Sequence, residues 1–295
     1  GLDDKIISGW NGLVISGLTQ AYLATGEAKY KDLAINTGNF LQTHMLEGKV
    51  LYRSYKNGQA YTPAFLEDYA AVIQGFIHLY QITFNEKWIR EAKSLTDLSI
   101  SQFFDTEDGL FFFNNPAAEK LIANKKELFD NVIPSSNSMM ARNLHQLGLY
   151  YYEDYYLNLS KKMLGKLKNL LASDAGFLAN WANLYLNFLV PSAEIAVIGS
   201  GAEENSLMLQ KNYHPNIIVA SGESKSGGLP ILQHNTPSPG GVTRIYVCFD
   251  KVCRQPVSTV EEAYAQFPTI SDWVLTGLFG ESYADKESIS LFADV

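Results

Sequence analysis

The chain repeats itself. Gly17-Leu18-Thr19-Gln20-Ala21-Tyr22 is matched by Gly75-Phe76-Ile77-His78-Leu79-Tyr80, an offset of 58 (75 − 17). The same offset pairs Tyr30 with Trp88, Ala34 with Ala92, Asn39 with Asp97 and Met45 with Phe103. A third copy lies at offset 126 (144 − 18), pairing Leu18 with Leu144, Ala21 with Leu147 and Tyr30 with Tyr156. In each copy apolar residues recur at helical spacing, break at a short turn (Thr25-Gly26-Glu27, Thr83-Phe84-Asn85) and resume. Each is a helix–turn–helix unit of about 60 residues with its connection, and such units bury their apolar faces only by stacking. Hairpins of this size predict a mainly α fold: an (α/α) toroid, or part of an (α/α)6-type barrel, over residues 1–190.

Between the copies, Glu47-Gly48, Lys56-Asn57-Gly58 and Asp108-Gly109 are turn signals. The aromatic runs Leu51–Tyr55 and Gly109–Phe113 read as short hairpin strands or as loops. A helix over Ala179–Leu189 opens a further pair. After Pro191 the pattern changes to a small α/β segment, 191–267. It has strands at Glu194–Ile198, Asn216–Ala220 and Arg244–Phe249, and a helix at Glu203–Lys211. A last helix at Ser258–Gln266 is capped by Ser258 and Glu261. Gly/Ser/Pro-rich loops fill 221–230 and 235–241, and the tail 268–295 has no clear pattern.

Composition narrows the function. The 295 residues carry a formal charge of −8, which argues against a basic nucleic-acid-binding face. No apolar run is long enough to span a bilayer, so no membrane partner is expected. The first residues, Gly1 to Lys5, lack an initiator Met and a signal-peptide core, and read as a boundary inside a longer protein. A cytoplasmic location is the expectation, with an upstream export signal left open.

The offsets also align polar residues. Trp10, Asp68 and Ser136 are equivalent, as are Asn11, Tyr69 and Asn137. Asp4, Trp10 and Asn11, then Glu67, Asp68 and Tyr69, then Asn137 and Ser138, all fall at the start of a hairpin's first helix. If those helices share a ring, three clusters meet at one mouth. Asp, Asn, Tyr and Trp together supply hydrogen bonds for hydroxyl groups and flat apolar faces for a sugar ring. A carboxylate there can serve as general acid or base, with Asp68 the first choice and Asp4 its partner. Trp10 and Tyr69 would stack on the ligand, Asn11 and Asn137 would orient it, and Glu67 and Ser138 complete the lining. Taken singly, Asp4, Asp68 and Ser136 are ordinary helix caps.

These motifs resemble a known family. Asp3-Asp4-Lys5…Trp10-Asn11-Gly12-Leu13, Phe65-Leu66-Glu67-Asp68-Tyr69-Ala70, Pro134-Ser135-Ser136-Asn137-Ser138 and Cys248…Cys253-Arg254-Gln255-Pro256-Val257 are similar, in order, to signatures of the spermatogenesis-associated thioredoxin-like proteins. The resemblance runs from the first residue to about residue 260. It implies a helical barrel related to N-acylglucosamine 2-epimerases and six-hairpin glycosidases, preceded by a thioredoxin-like domain outside this chain. The expected function is carbohydrate binding or processing, and any enzyme activity would be a carboxylate-dependent sugar hydrolase or epimerase-like reaction. The alternative is a non-catalytic scaffold serving the upstream thioredoxin-like domain. The epimerase histidines find no motif-level match among His44, His78, His145, His214 and His234.

Cys248 and Cys253 are read as two inert thiols, with a redox role, through a disulfide or exchange with the thioredoxin-like domain, as the alternative. No metal site and no cofactor are expected: two more zinc ligands are not evident, and Glu203-Glu204 follow Gly199-Ser200-Gly201 where a dinucleotide fingerprint would need glycine.

Overall fold

A computed structural model describes residues 3–115, 124–222, 228–233 and 241–267. The tail 268–295 and most of the two Gly/Ser/Pro-rich loops lie outside these residues. The chain divides into two compact units, Gly1–Leu144 and His145–Val295.

In the first unit, strand β1 (Ile6–Ile7) leads into helix α1 (Ser8–Thr25), which turns into α2 (Ala28–His44). Strands β2 (Leu46–Glu47), β3 (Val50–Lys56) and β4 (Gln59–Pro63) follow, then the second hairpin, α3 (Leu66–Thr83) and α4 (Glu86–Phe103). Strands β5 (Phe104–Asp105) and β6 (Leu110–Phe111) form a two-stranded antiparallel pair. Both aromatic runs therefore contain strands. β3 pairs antiparallel with β1, β2 and β4, and its turn into β4 is Asn57-Gly58 with φ of 51° and 81°. Only residues tolerant of the left-handed region suit such a two-residue turn.

The repeat is kept to the residue. α1 and α3 begin 58 apart (66 − 8) and end 58 apart (83 − 25). Their C-caps, Gly26 and Phe84, are both left-handed, and both cap N–H groups bond the carbonyl four residues back, Tyr22 and Tyr80. α3 is the core of this unit, buried along nearly its whole length against α1, α2 and α4. α4 presents Trp88, Ile89, Ala92, Leu95, Thr96, Ser99 and Phe103 to it at helical spacing. The α1–α3 crossing is close enough to exclude side chains: a Cβ on Gly12 would meet the Ala71 carbonyl at 2.5 Å.

α5 (Ser136–Tyr151) opens the third hairpin, and the second unit holds α6 (Asp154–Lys166), α7 (Lys168–Ser173) and α8 (Ala179–Leu189). Tyr152, which follows α5, is left-handed at φ 51°, at the third-copy position of Gly26 (152 − 26 = 126). After Pro191 come β7 (Ala193–Ile198), α9 (Ala202–Lys211), β8 (Ile217–Gly222), α10 (Pro230–Gln233), β9 (Arg244–Phe249), β10 (Val252–Cys253) and α11 (Val260–Tyr264). The strands form one sheet in the order β10-β9-β7-β8, with β7 parallel to β8 and antiparallel to β9. β7 is buried at every position in the middle of the sheet, as its apolar residues require, and Glu194 is buried with them. One cap is corrected by one residue: α11 is closed by Thr259 and Glu262, not Ser258 and Glu261. Both pairs have capping-box spacing, and the Thr259 hydroxyl is the one that accepts the Glu262 N–H.

The fold is thus mainly α, made of consecutive helix hairpins with a small C-terminal α/β segment. No helix among the described residues is long and apolar enough to cross a membrane.

Candidate functional site

The first turn of α3 carries Glu67 and Asp68, and strand β3 brings Arg53 against both. Arg53 Nη1 lies 2.6 Å from Glu67 Oε1 and 2.8 Å from Asp68 Oδ2. The Asp68 carboxylate also accepts the Phe65 N–H at 3.0 Å, capping its own helix, and the Gly9 N–H at 3.1 Å, capping the start of α1. One buried carboxylate therefore ties two helix starts and a strand together. Burial pushes the Asp68 carboxyl above its ordinary range, opposed by Arg53 and the Phe65 N–H. Glu67 and Arg53 stay partly open, with 21% and 25% of their side chains exposed.

Asp4 is placed elsewhere. It is exposed and pairs with Lys56, which holds its carboxyl below the usual range. Arg53 and Lys56 are three residues apart on β3, and side chains alternate along a strand, so the two cations leave opposite sides. The structure does not bring Asp4 to Asp68 as an acid–base pair.

Trp10, next to Gly9, is 66% exposed. Ser8, at the first position of α1, is buried with a hydroxyl that has no hydrogen-bond partner among the described residues.

The remaining aligned residues are engaged within the fold. Asn11 donates to the Ile7 carbonyl at 2.8 Å. The buried Tyr69 hydroxyl accepts the Leu51 N–H at 3.0 Å. Asn137 accepts the Phe111 N–H at 2.8 Å and donates to the Phe111 and Glu127 carbonyls. Tyr69 and Asn137 thus do the same work at equivalent positions: each holds the strand of the preceding connection against its helix. Ser138 donates to Asp130 and the Ser135 carbonyl. Tyr69, Asn137 and Ser138 are buried, at 2%, 0% and 0% exposure, and Asn11 is half-buried.

Arg53 was not among the residues expected here. Its signal is a single cation inside the aromatic run Leu51–Tyr55, shortly before Glu67-Asp68.

In the second unit Cys248 and Cys253 are joined, their sulfurs 1.98 Å apart, which corrects the reading of two separate thiols. They are directly opposite across the β9–β10 turn, Asp250-Lys251, whose φ values of 49° and 66° fold the strands back. Spacing alone could not say that these residues face each other. Among the described residues no group of three or more His, Cys, Asp or Glu is placed to hold a metal.

No family model matches the chain. Over 280 residues it is 30% identical to human spermatogenesis-associated protein 20, covering 87% of this chain and 35% of that protein. The rat protein of the same name is 32% identical over 166 residues, 52% of this chain and 21% of its own length. The chain thus spans between a fifth and two fifths of the curated relatives it matches. A solved structure similar to it is the GH76 α-mannanase of Bacteroides thetaiotaomicron, with 15% identity, 64% of this chain and 59% of that chain covered, and a TM-score of 0.49. A D-mannose isomerase matches with a TM-score of 0.45 and 20% identity, covering 57% of this chain and 42% of that one. The chain is a homologue of spermatogenesis-associated protein 20, the family its four ordered motifs resemble.

Proposed function

We propose that the first unit binds a sugar or a similar small polyhydroxylated ligand where α1 and α3 begin. The observation that carries this reading is the partly open Arg53–Glu67 pair, held by buried Asp68 beside the start of α1, where Trp10 stands exposed. A guanidinium and a carboxylate locked together offer donors and an acceptor to vicinal hydroxyls, and an indole offers a flat apolar face to a ring. The unpartnered Ser8 hydroxyl adds a buried polar group at the same helix start. Asp68 is a positioning residue in this reading, because its oxygens already serve three donors. Any hydrolytic or epimerising acid–base step falls to Glu67, the carboxylate with solvent access.

Tryptophan fluorescence tests it. Neutral sugars and uronic acids titrated into the full chain should quench or shift Trp10 emission, and Trp10→Phe should abolish the response. An unchanged response in that variant would place the ligand elsewhere.

A second reading is a partner-binding module serving a thioredoxin-like domain. It is favoured by the exposure of Trp10 and of Val14 one turn later on α1, at 66% and 50%. It expects no sugar response and tight association with that domain that Trp10→Ala weakens.

A further inference from the structure

The disulfide does not belong to the site above, and its surroundings are unusual for a structural staple. Glu194 on β7 is directly opposite Cys248 on β9, and Cys248 is directly opposite Cys253 on β10. Residues paired in this way across antiparallel strands project to the same face as neighbours. A carboxyl and two sulfurs therefore form one row, running from the middle of the sheet to its edge strand.

Accessibility falls along that row. Cys253 is exposed, Cys248 is wholly buried and Glu194 is 2% exposed. The Lys251 backbone N–H and the Tyr152 hydroxyl hydrogen-bond Glu194, and its Oε2 has no partner among the described residues. The link also closes a very short loop, with a sequence separation of 5. Stabilisation by a disulfide grows with the loop it closes, so a staple gains less here than a longer-range link would.

We propose that the Cys248–Cys253 hairpin is a thiol–disulfide exchange site for an external dithiol, with Glu194 as proton donor and acceptor to Cys248. One thiolate of the dithiol attacks the exposed Cys253 Sγ. A mixed disulfide forms, the Cys248–Cys253 bond breaks, and its electron pair leaves on Cys248 Sγ. That buried sulfur takes the proton of the Glu194 carboxyl, which becomes a carboxylate. The second thiol of the partner then gives up its proton, attacks the partner's own sulfur in the mixed disulfide and expels Cys253 as a thiolate, which takes up that proton through solvent. The partner loses two electrons as its disulfide forms, and the hairpin gains them as two thiols. The reverse sequence oxidises the hairpin, with Glu194 taking the Cys248 proton back. Leaving-group ability controls the rate of such exchange, so a proton donor beside the buried leaving sulfur is where it helps most.

Burial independently raises the Glu194 carboxyl to about 7, against the Lys251 and Tyr152 hydrogen bonds, so near neutral pH both its protonated and its ionised forms are populated and it can give or take a proton.

The test uses the folded full chain with dithiothreitol as the dithiol, followed by thiol alkylation and mass measurement. Native protein should yield two alkylated cysteines. Reduction only after unfolding would overturn the proposal and leave a staple. In Cys248→Ser, the remaining Cys253 should react with dithiobis(nitrobenzoic acid) at least about tenfold faster than Cys248 does in Cys253→Ser, and equal rates would overturn the order of attack. Glu194→Gln should slow reduction by about tenfold and Glu194→Asp should recover most of the rate. A Glu194→Gln rate within about twofold of the parent would remove Glu194 from the exchange.

Discussion

Asp68 Oδ1 accepts the N–H of Gly9, and a Cβ on Gly9 would sit 2.7 Å from that same oxygen. The bond and the missing side chain are one feature: the carboxylate reaches the start of α1 only because residue 9 has no side chain in the way. Asp68→Ala should cost about 3–5 kcal/mol, because Arg53 and two backbone N–H groups lose their acceptor in a buried setting. Gly9→Ala should cost about 1–3 kcal/mol by pushing the oxygen aside. Urea denaturation of both variants checks this, and a near-neutral Asp68→Ala would remove it from the role assigned.

Two glycines of α1 should respond with opposite signs to the same substitution. Gly12 faces the Ala71 backbone, whereas Gly17 is exposed, and a Cβ added there would meet nothing within 4 Å. Gly12→Ala should cost about 1–3 kcal/mol by separating α1 from α3. Gly17→Ala should gain about 0.5–1 kcal/mol from the lower entropy of the unfolded chain. Equal effects, read from denaturation midpoints, would contradict the packing described.

His78 gives the first unit an acid limit. Its ring is half-buried, its Nδ1 is wholly buried, and burial, with Arg142 adding repulsion, lowers its pKa from 6.5 to about 4. The unfolded chain therefore binds a proton that the folded chain refuses, and stability falls as pH drops from 6.5 through 4. The loss should reach about 2–3 kcal/mol and should vanish in His78→Gln. Melting temperature against pH for the two proteins checks it.

Glu194 works in the other direction. Its carboxyl titrates at about 7 when folded, against an ordinary value of 4.5, so the folded chain keeps a proton the unfolded chain gives up. Stability from this group is lost as pH rises from 4.5 through 7. Glu194→Gln should accordingly gain about 1–3 kcal/mol at about pH 8, and less at about pH 5. A gain equal at both pH values would show that titration is not the cause.

Much of the fold was legible because it is written in periods. The offset of 58 relates both ends of α1 to those of α3, and a left-handed residue recurs at Gly26, Phe84 and Tyr152 although only the first is glycine. The site was legible only as polarity. Register shows that Tyr69 and Asn137 are polar at equivalent positions, but not that their partners are the backbones of Leu51 and Phe111, many residues earlier in the chain. Asp68 was identified and its cation was not, because Arg53 sits in a strand read for its aromatics. Glu194 was missed for a similar reason: a single carboxylate in Ala-Glu-Ile-Ala-Val-Ile reads as part of a strand until its neighbour across the sheet is known to be a cysteine.

The most direct measurement is the thermal shift of the full chain against a panel of mono- and oligosaccharides, sugar phosphates and uronic acids, repeated with Glu67→Gln and Trp10→Ala. A specific ligand at about 100 times its Kd should add about 2.7 kcal/mol. Sugar binding at the start of α1 and α3 predicts at least one such ligand, with the shift lost or strongly reduced in both variants. A panel without a single shift, or a shift untouched by either substitution, would contradict it.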